Sequence, residues 1–232
     1  MISIIVPTFN EAKNIEKLVD RINKVMENER FEIIVVDDNS PDNTWKIAKE
    51  LPKDKHVRVL RRIGKSGLSS AVVDGFKIAK GDLIGVIDAD LSHPPEVIPD
   101  IVRRIREGEA DMIIGSRLVK GGGTEGWPAH RKLTSKIATL LARPVTHIKD
   151  PMSGFFFFRK EVIEGAELKP KGYKIGLEII VKGNAKKVLE HPIMFKDRTA
   201  GQSKLGMKQN MEYLLQLADL YIHKIKKKIR GK

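Results

Sequence analysis

The sequence predicts an α/β fold in which a mostly parallel central sheet is covered by helices. Short β-branched segments alternate with segments of helical periodicity over the first 115 residues, and polar clusters follow the ends of the apolar segments. Such alternation is typical of parallel strands with helices packed on both faces. The chain has 232 residues, 41% of them hydrophobic, which is enough for one sizeable core. We expect a single domain over residues 1–206 and a basic amphipathic helix over residues 207–232.

The strands are predicted from short apolar runs that are rich in β-branched residues and bounded by turn residues. In chain order they are Ile2–Val6, Ile33–Asp37, Val57–Leu60, Leu83–Asp88, Met112–Ile114, Phe155–Phe158 and Lys187–Glu190.

The helices are predicted from apolar residues spaced three and four positions apart. In the first one, Ile15, Leu18 and Ile22 share a face. The predicted helices are Glu11–Met26, Thr44–Glu50, Ser69–Ala79, Val97–Ile105, Lys132–Leu141, Leu177–Val181 and a last one from Lys208. The glycine-rich segment 120–128 is interpreted as a mobile loop.

Composition limits the function classes. The net charge of +13 indicates an anionic partner, but aromatic residues make up only 6% of the chain and do not alternate with basic ones. We therefore expect no nucleic-acid binding by base stacking. The absence of cysteine excludes thiolate catalysis and cysteine-ligated metals. The first residues lack the pattern of a secretory signal, so we expect a cytoplasmic protein.

Two carboxylates follow the apolar run 83–87. Asp88 and Asp90 are separated by one residue, so both can turn toward the same pocket. Ligands of such sheets bind beyond the carboxyl ends of the strands, and two anions placed together there require a cation. Mg²⁺ or Mn²⁺ held by these carboxylates and by substrate phosphates meets that requirement. A surface turn with two capping carboxylates is the alternative.

Other polar groups are predicted at the same edge. The first strand leads into Pro7 and Glu11, and the second ends at Asp37 and Asp38. Asp37 and Asp38 suit either a nucleotide base or an ordinary turn before a helix. The segment 64–67, GKSG, lacks the earlier glycine of a P-loop, because Val59 stands there.

Basic residues dominate the second half of the chain. Arg117 and Arg131 suit phosphate oxygens, although residues alone do not show that they converge. The last helix has apolar residues at helical spacing and a lysine-rich end, which favours an anionic membrane surface over packing on the domain or on a partner helix.

Taken in order, VPTFNE, VVDDNSPDNTW, GLSSAVVDGF, DADLSHPPE, GSR, DPMSGFFFFRK and RTAGQSK resemble the polyprenyl (dolichyl) phosphate mannosyltransferases. These are inverting family 2 glycosyltransferases with the Rossmann-like GT-A fold. The resemblance spans residues 1 to about 210. It implies mannose transfer from GDP-mannose to dolichyl (polyprenyl) phosphate, with Mg²⁺ or Mn²⁺ as cofactor. It also implies a peripheral position on the cytoplasmic face of the membrane, where a small membrane subunit is a further possible partner.

The resemblance implies a role for individual residues. The residues implied for the donor nucleotide are Pro7, Glu11, Asp37, Asp38 and Asp88. The implied metal ligands are Asp88, Asp90 and Ser92, the last standing where the family often has Gln. The acceptor phosphate is expected at Arg117, Arg131, Ser135, Arg198 and Ser203. The catalytic set is Asp90, Arg117, Arg131 and Lys204.

Other functions remain open at this point. A related family 2 transferase with UDP-glucose or another donor fits the same motifs. A sugar nucleotidyltransferase would open with a glycine-rich loop where this chain has PTFNE. A membrane or nucleic-acid binder that is not an enzyme would explain the charge but not Asp88 and Asp90.

Overall fold

A computed structural model describes residues 1–169, 172–197 and 207–230. The strands are β1 (Ile2–Thr8), β2 (Phe31–Asp37), β3 (Val57–Arg61), β4 (Leu83–Val86), β5 (Met112–Ser116), β6 (Gly123–Glu125), β7 (Phe156–Arg159), β8 (Val188–Pro192) and β9 (Met194–Lys196). The α-helices are α1 (Ile15–Val25), α2 (Thr44–Glu50), α3 (Leu68–Ile78), α4 (Ile98–Arg106), α5 (Ala129–Ala142), α6 (Ile175–Lys182) and α7 (Met207–Arg230).

Within the described residues, seven strands form the central sheet in the order β3-β2-β1-β4-β7-β5-β8. The pairs among β1, β2, β3 and β4 are parallel, as is the pair of β5 with β8. Only β7 runs antiparallel to its neighbours in this sheet. The predicted mostly parallel sheet is therefore confirmed.

The core lies on both faces of the sheet, because alternate residues of each strand point to opposite sides. In β1, Ile4 packs with α1 and α4, whereas Ile5 packs on the other face with α3 and α6. A third apolar cluster joins α5, α6 and α7. The last helix is thus packed on the domain through Tyr213, Leu217 and Leu220.

Two glycines leave space for the aromatic side chains of β7 and the residue before it, between β4 and β5. A Cβ at Gly85 would lie 2.0 Å from an edge carbon of Phe157, and one at Gly115 would lie 2.3 Å from Phe155. Both distances are far shorter than a carbon–carbon contact allows. The phenylalanine rings therefore occupy the space that side chains at the two glycines would fill.

The segment 120–128 differs from its prediction. It contains β6, which pairs in parallel with β9 from Gly123↔Met194 to Glu125↔Lys196. Both strands have only three residues, and β6 begins with glycine, so neither shows the apolar alternation by which strands are found in a sequence.

Candidate active site

The polar ends of several strands meet at one edge of the sheet. Asp38 follows β2, Asp88 follows β4 and Arg117 follows β5 directly, so all three lie where parallel strands end. Because β7 is antiparallel, its beginning lies at this edge too, and it brings the loop that contains Asp150 and Gly154. The sheet topology therefore collects groups from both halves of the chain.

Asp88 and Asp90 lie on a tight turn beyond β4. Leu91 between Asp90 and Ser92 has a φ of +63°, in the left-handed region, and the amide of Ser92 donates a 3.1 Å hydrogen bond to Oδ1 of Asp90. Nε2 of His93 lies 3.4 Å from Oδ2 of Asp88. The local backbone thus turns a short acidic sequence back on itself, with a buried histidine beside it.

The loop before β7 closes on Asp88. A Cβ at Gly154 would lie 2.7 Å from Oδ2 of Asp88, so any other residue here would require the Asp88 carboxylate to move. The Asp88 carboxylate is consequently confined between Gly154 and His93.

The oxygen groups of this turn suit a hard divalent cation. Besides the two carboxylates, the buried hydroxyl of Ser92 has no hydrogen-bond partner within the part of the chain that is described. No group of three or more acidic or histidine side chains arranged for a metal occurs among the described residues. Magnesium is commonly held by one or two carboxylates together with substrate phosphates, so a pair of acidic ligands fits this chemistry.

Asp37 is fully buried at the end of β2. Its carboxylate accepts hydrogen bonds from the hydroxyl of Thr8 (2.8 Å), and from the amide (2.8 Å) and hydroxyl (2.6 Å) of Ser40. These bonds fix the loop after β2 against the end of β1. The contacts of Asp37 are therefore internal to the protein, and they orient the neighbouring Asp38.

Asp38 is held by a buried arginine that the sequence reasoning missed. Nε and a terminal nitrogen of Arg62 lie 2.7 and 2.5 Å from Oδ1 of Asp38, and the amide of Gly67 donates to Oδ2 at 2.8 Å. Arg62 also contacts Asp74 at 3.2 Å. Arg62 directly follows β3. The expectation that ligands bind beyond the carboxyl ends of parallel strands, which identified Asp38 after β2, therefore also indicates Arg62.

The remaining residues implied for the donor lie at the end of β1. Pro7 is buried within the strand, opposite Val36. Glu11 is partly buried; its amide donates to the hydroxyl of Thr44 at 2.9 Å, and its carboxylate accepts from the side chain of Asn14 at 2.8 Å. Glu11 therefore lies at the same edge as Asp38.

Arg117 is joined to Asp150 by a bidentate ion pair. Nε and Nη2 of Arg117 each lie 2.7 Å from an oxygen of Asp150, and the backbone amide of Arg117 donates at 2.9 Å. Burial alone raises the pKa of Asp150, but the hydrogen bonds and charge of Arg117 outweigh it and hold that pKa below its ordinary value. Asp150 thus stays ionised and fixes the plane of the guanidinium.

Arg131 lies in the first turn of α5. Its Nη1 donates to Oδ1 of Asp197 at 2.7 Å. Ser135, four residues later, lies on the same face of the helix and is partly buried. The other predicted acceptor and catalytic residues, Arg198, Ser203 and Lys204, lie outside the described residues.

Lys174 was not predicted as a site residue. Its Nζ donates to the backbone carbonyl of Met152 at 2.7 Å, in the loop before β7. Burial lowers the pKa of Lys174 to about 8; Arg117 acts in the same direction, while Asp88 and Asp150 oppose it. A lysine just before an apolar helix gives no sequence signal, since only the fold brings it to this loop.

The sequence matches the family described as glycosyl transferase family 2 over residues 3–165. It is similar to a dolichol-phosphate mannosyltransferase of Pyrococcus furiosus, with 52% identity over 92% of this chain and 61% of that protein. Proteins of the same name from Mycosarcoma maydis and Saccharomyces cerevisiae are 38% and 37% identical, over 94% and 96% of this chain and 78% and 87% of theirs. The chain thus spans about three fifths of the Pyrococcus relative's length.

Solved structures confirm the GT-A fold. Glucosyl-3-phosphoglycerate synthase from Mycobacterium tuberculosis, in complex with Mn²⁺, UDP and glucosyl-3-phosphoglycerate, is similar with a TM-score of 0.67 at 18% identity, over 96% of this chain and 78% of that one. Mannosyl-3-phosphoglycerate synthase from Rubrobacter xylanophilus has a TM-score of 0.65 at 16% identity, over 98% of this chain and 75% of that one. Since the family match covers most of the chain and the fold agrees with it, the chain belongs to glycosyl transferase family 2.

Proposed function

We propose that this protein transfers mannose from GDP-mannose to a dolichyl (polyprenyl) phosphate with inversion at the anomeric carbon, forming dolichyl phosphate mannose. The observation that carries the proposal is the position of Arg117 and Asp88 at one edge of the sheet, on either side of β7. A site for a cation-bound diphosphate and a site for a second phosphate are thereby adjacent. The names of the 52% identical and the more distant relatives support the same reaction.

The donor lies, in this proposal, across the ends of β1, β2 and β4. Pro7, Glu11 and Asp38 face the nucleoside, with Asp37 holding the loop behind Asp38. Asp88, Asp90 and Ser92 would hold Mg²⁺ or Mn²⁺. When bound, the cation neutralises charge on the diphosphate that leaves.

The acceptor phosphate is bound, in this proposal, by Arg117, Arg131 and Ser135, with Arg198 and Ser203 in the segment that follows β9. An oxygen of the phosphate attacks the anomeric carbon while the bond from that carbon to the diphosphate oxygen breaks, and GDP leaves with the electron pair. The attacking oxygen is already anionic near neutral pH, so no strong general base is required. The protein acts by alignment and by charge neutralisation, to which Lys204 contributes.

The lipid acceptor suggests a membrane surface as a further partner. Helices α5 and α7 pack together, with the hydroxyl of Tyr213 donating to the carbonyl of Ala138 at 2.7 Å. Both helices also expose apolar residues, namely Leu133, Ile137, Leu140 and Leu141 in α5 and Met211, Leu214, Leu215, Ile222, Ile225 and Ile229 in α7. Together with the terminal lysines, these residues suit the interface of an anionic leaflet on the cytoplasmic side. A small membrane subunit is compatible with the same surface.

Within the described ranges, no helix is long and apolar enough to cross a bilayer.

The test is transfer of radiolabelled sugar to a short-chain polyprenyl phosphate, with GDP-mannose and UDP-glucose as parallel donors, with and without Mg²⁺ or Mn²⁺. Metal-dependent formation of mannosyl lipid from GDP-mannose is the expected result. Transfer from UDP-glucose but not from GDP-mannose would support the same site and would replace GDP-mannose as the proposed donor. Transfer from neither donor would contradict the proposal.

A further inference from the structure

Trp127 lies beside both arginines of the proposed acceptor site. The guanidinium carbon of Arg131 is 4.2 Å from the centroid of the Trp127 ring, and that of Arg117 is 5.0 Å away. An aromatic face attracts a guanidinium within about 6 Å, and indole does so best among the side chains. One ring therefore contacts two cations that come from different parts of the chain, the end of β5 and the start of α5.

Each of the two arginines is also held by a carboxylate. Asp150 holds Arg117 through two 2.7 Å contacts, and Asp197 holds Arg131 through one. Two guanidiniums repel each other, so their approach needs compensating negative charge. Each has its own carboxylate, and Trp127 is the group that both share.

Among the described residues, two buried donors in this cluster have no acceptor. Neither Nε1 of Trp127 nor Nε of Arg131 has a hydrogen-bond partner in the described part of the protein. Buried donors without partners are uncommon, because a donor that is removed from water without gaining an acceptor destabilises the folded state. A phosphate oxygen is an acceptor suited to both donors.

Aromatic packing connects this cluster to the carboxylates. The Trp127 ring lies edge-on to Phe195 with centroids 5.4 Å apart, and Phe195 lies edge-on to His93 at 5.0 Å. His93 in turn faces Asp88. The position of Trp127 is therefore set by a continuous row of rings that ends at the proposed metal site.

We propose that Trp127 is a positioning residue that holds Arg117 and Arg131 side by side, so that the two guanidiniums bind one phosphate monoester of the lipid acceptor. This inference rests on the proposed function, since it specifies how the acceptor phosphate of that reaction is gathered. The segment around Trp127, anchored through the β6–β9 pair, is then part of the binding apparatus.

The first test compares Trp127→Leu, Trp127→Phe and the control Trp45→Leu. The control removes the same kind of contact, since Arg61 lies 3.9 Å from the Trp45 ring, and Arg61 belongs to the edge strand β3, far from β5 in the strand order. Trp127→Leu should raise KM for the polyprenyl phosphate about tenfold and leave KM for GDP-mannose within about twofold. Trp127→Phe keeps an aromatic face for the two arginines but loses the Nε1 donor, so its acceptor KM should rise by less than that of Trp127→Leu, and Trp45→Leu should leave the acceptor KM unchanged. An unchanged acceptor KM in Trp127→Leu, or an equal rise in both KM values, would overturn the proposal.

The second test does not depend on turnover. The chain has two tryptophans, so Trp45→Phe leaves Trp127 as the sole indole. Its emission should change saturably with geranyl phosphate and not with geraniol, and Arg131→Gln should abolish the change. No response to geranyl phosphate would refute the arrangement. Failure of wild-type mannosyl transfer with an intact fluorescence response would instead count against the proposed function alone.

Discussion

The side-chain amide of Gln216 in α7 donates a hydrogen bond from Nε2 to the backbone carbonyl of Lys174 at 3.1 Å. Lys174 precedes α6 and contacts the loop before β7 through its ammonium group. The helix that carries exposed apolar residues therefore also holds a residue of the candidate site. A displacement of α7 would be transmitted to Lys174 through this bond.

Gln216→Leu should destabilise the protein by about 1 kcal/mol, because the carbonyl of Lys174 loses its side-chain donor and keeps the longer 3.4 Å hydrogen bond from the amide of Glu178. For a chain of this length the melting temperature should fall by roughly 2–4 °C. Thermal unfolding followed by circular dichroism measures this. Lys226→Leu, at an exposed position of the same helix, serves as the control, and an equal shift in both variants would contradict the role of Gln216.

Lys174→Met should stabilise the protein at pH 7 by about 1–3 kcal/mol, since burial of the ammonium lowers its pKa to about 8. Between pH 8 and the ordinary lysine pKa of 10.5, the unfolded chain binds this proton and the folded chain does not. Wild-type stability should therefore rise with pH in that window, and the advantage of the variant should shrink. Urea denaturation of the wild type and of Lys174→Met at pH 7, 8, 9 and 10 measures the free energy of unfolding of each. The same pH dependence in both proteins would refute the role of Lys174.

Asp150→Asn should cost about 3–5 kcal/mol, because it leaves the buried Arg117 without its counter-charge. The pKa of Asp150 is lowered, so its stabilisation is present above the ordinary carboxyl pKa of 3.8 and is lost as the pH falls through the folded value. The double variant Asp150→Leu with Arg117→Met should be more stable than Asp150→Asn, since it removes both charges. Denaturant titration of the wild type and of both variants measures their free energies of unfolding. A double variant less stable than Asp150→Asn would show that the unpaired charge of Arg117 does not cause the loss of stability.

Asp90→Asn should lower turnover more than about 100-fold, because it removes one of two carboxylates proposed for the cation. The protein should remain folded, and Mn²⁺ affinity, measured by electron paramagnetic resonance, should fall as well. Asp54→Asn makes the same change of charge at an exposed site and should behave as wild type. Full activity of Asp90→Asn with unaltered Mn²⁺ affinity would remove Asp90 from the metal site.

Replacing Leu140 and Ile225 together by Gln should weaken binding to anionic phospholipid vesicles about tenfold or more. Each apolar side chain contributes about 1.5–3 kcal/mol when it is withdrawn from water. Co-sedimentation measures the change. Ile63→Gln, at an exposed apolar residue of neither helix, should bind like wild type. Undiminished binding by the double variant would argue against α5 and α7 as the membrane face.

Local sequence patterns predicted the larger part of the fold, because β1 and β2 are apolar runs rich in β-branched residues and α1 has apolar residues at helical spacing. The expectation that ligands bind beyond the ends of parallel strands likewise predicted that Asp38 and Asp88 lie at one edge, whereas the position of Arg117 at that edge follows from the sheet topology. Short strands such as β6 carry too few residues to show a period. Lys174 and Trp127 were not predicted as site residues for another reason, since their positions depend on contacts between segments far apart in sequence.

The position of β7 also has a consequence for the order in which the site forms. Strands β1 to β4 can pair as soon as they are synthesised, since all their partners within β3-β2-β1-β4 precede residue 87. In contrast, both neighbours of β5 in the sheet, β7 and β8, lie later in the chain, so β5 cannot pair until they have been synthesised. In a nascent chain that ends before Phe155, the carboxylates proposed for the cation therefore follow a β4 strand with one unpaired edge, and β5, which precedes Arg117, has neither of its neighbouring strands. The phenylalanine strand β7, which lies between β4 and β5, is thus the element that joins the two halves of the candidate site.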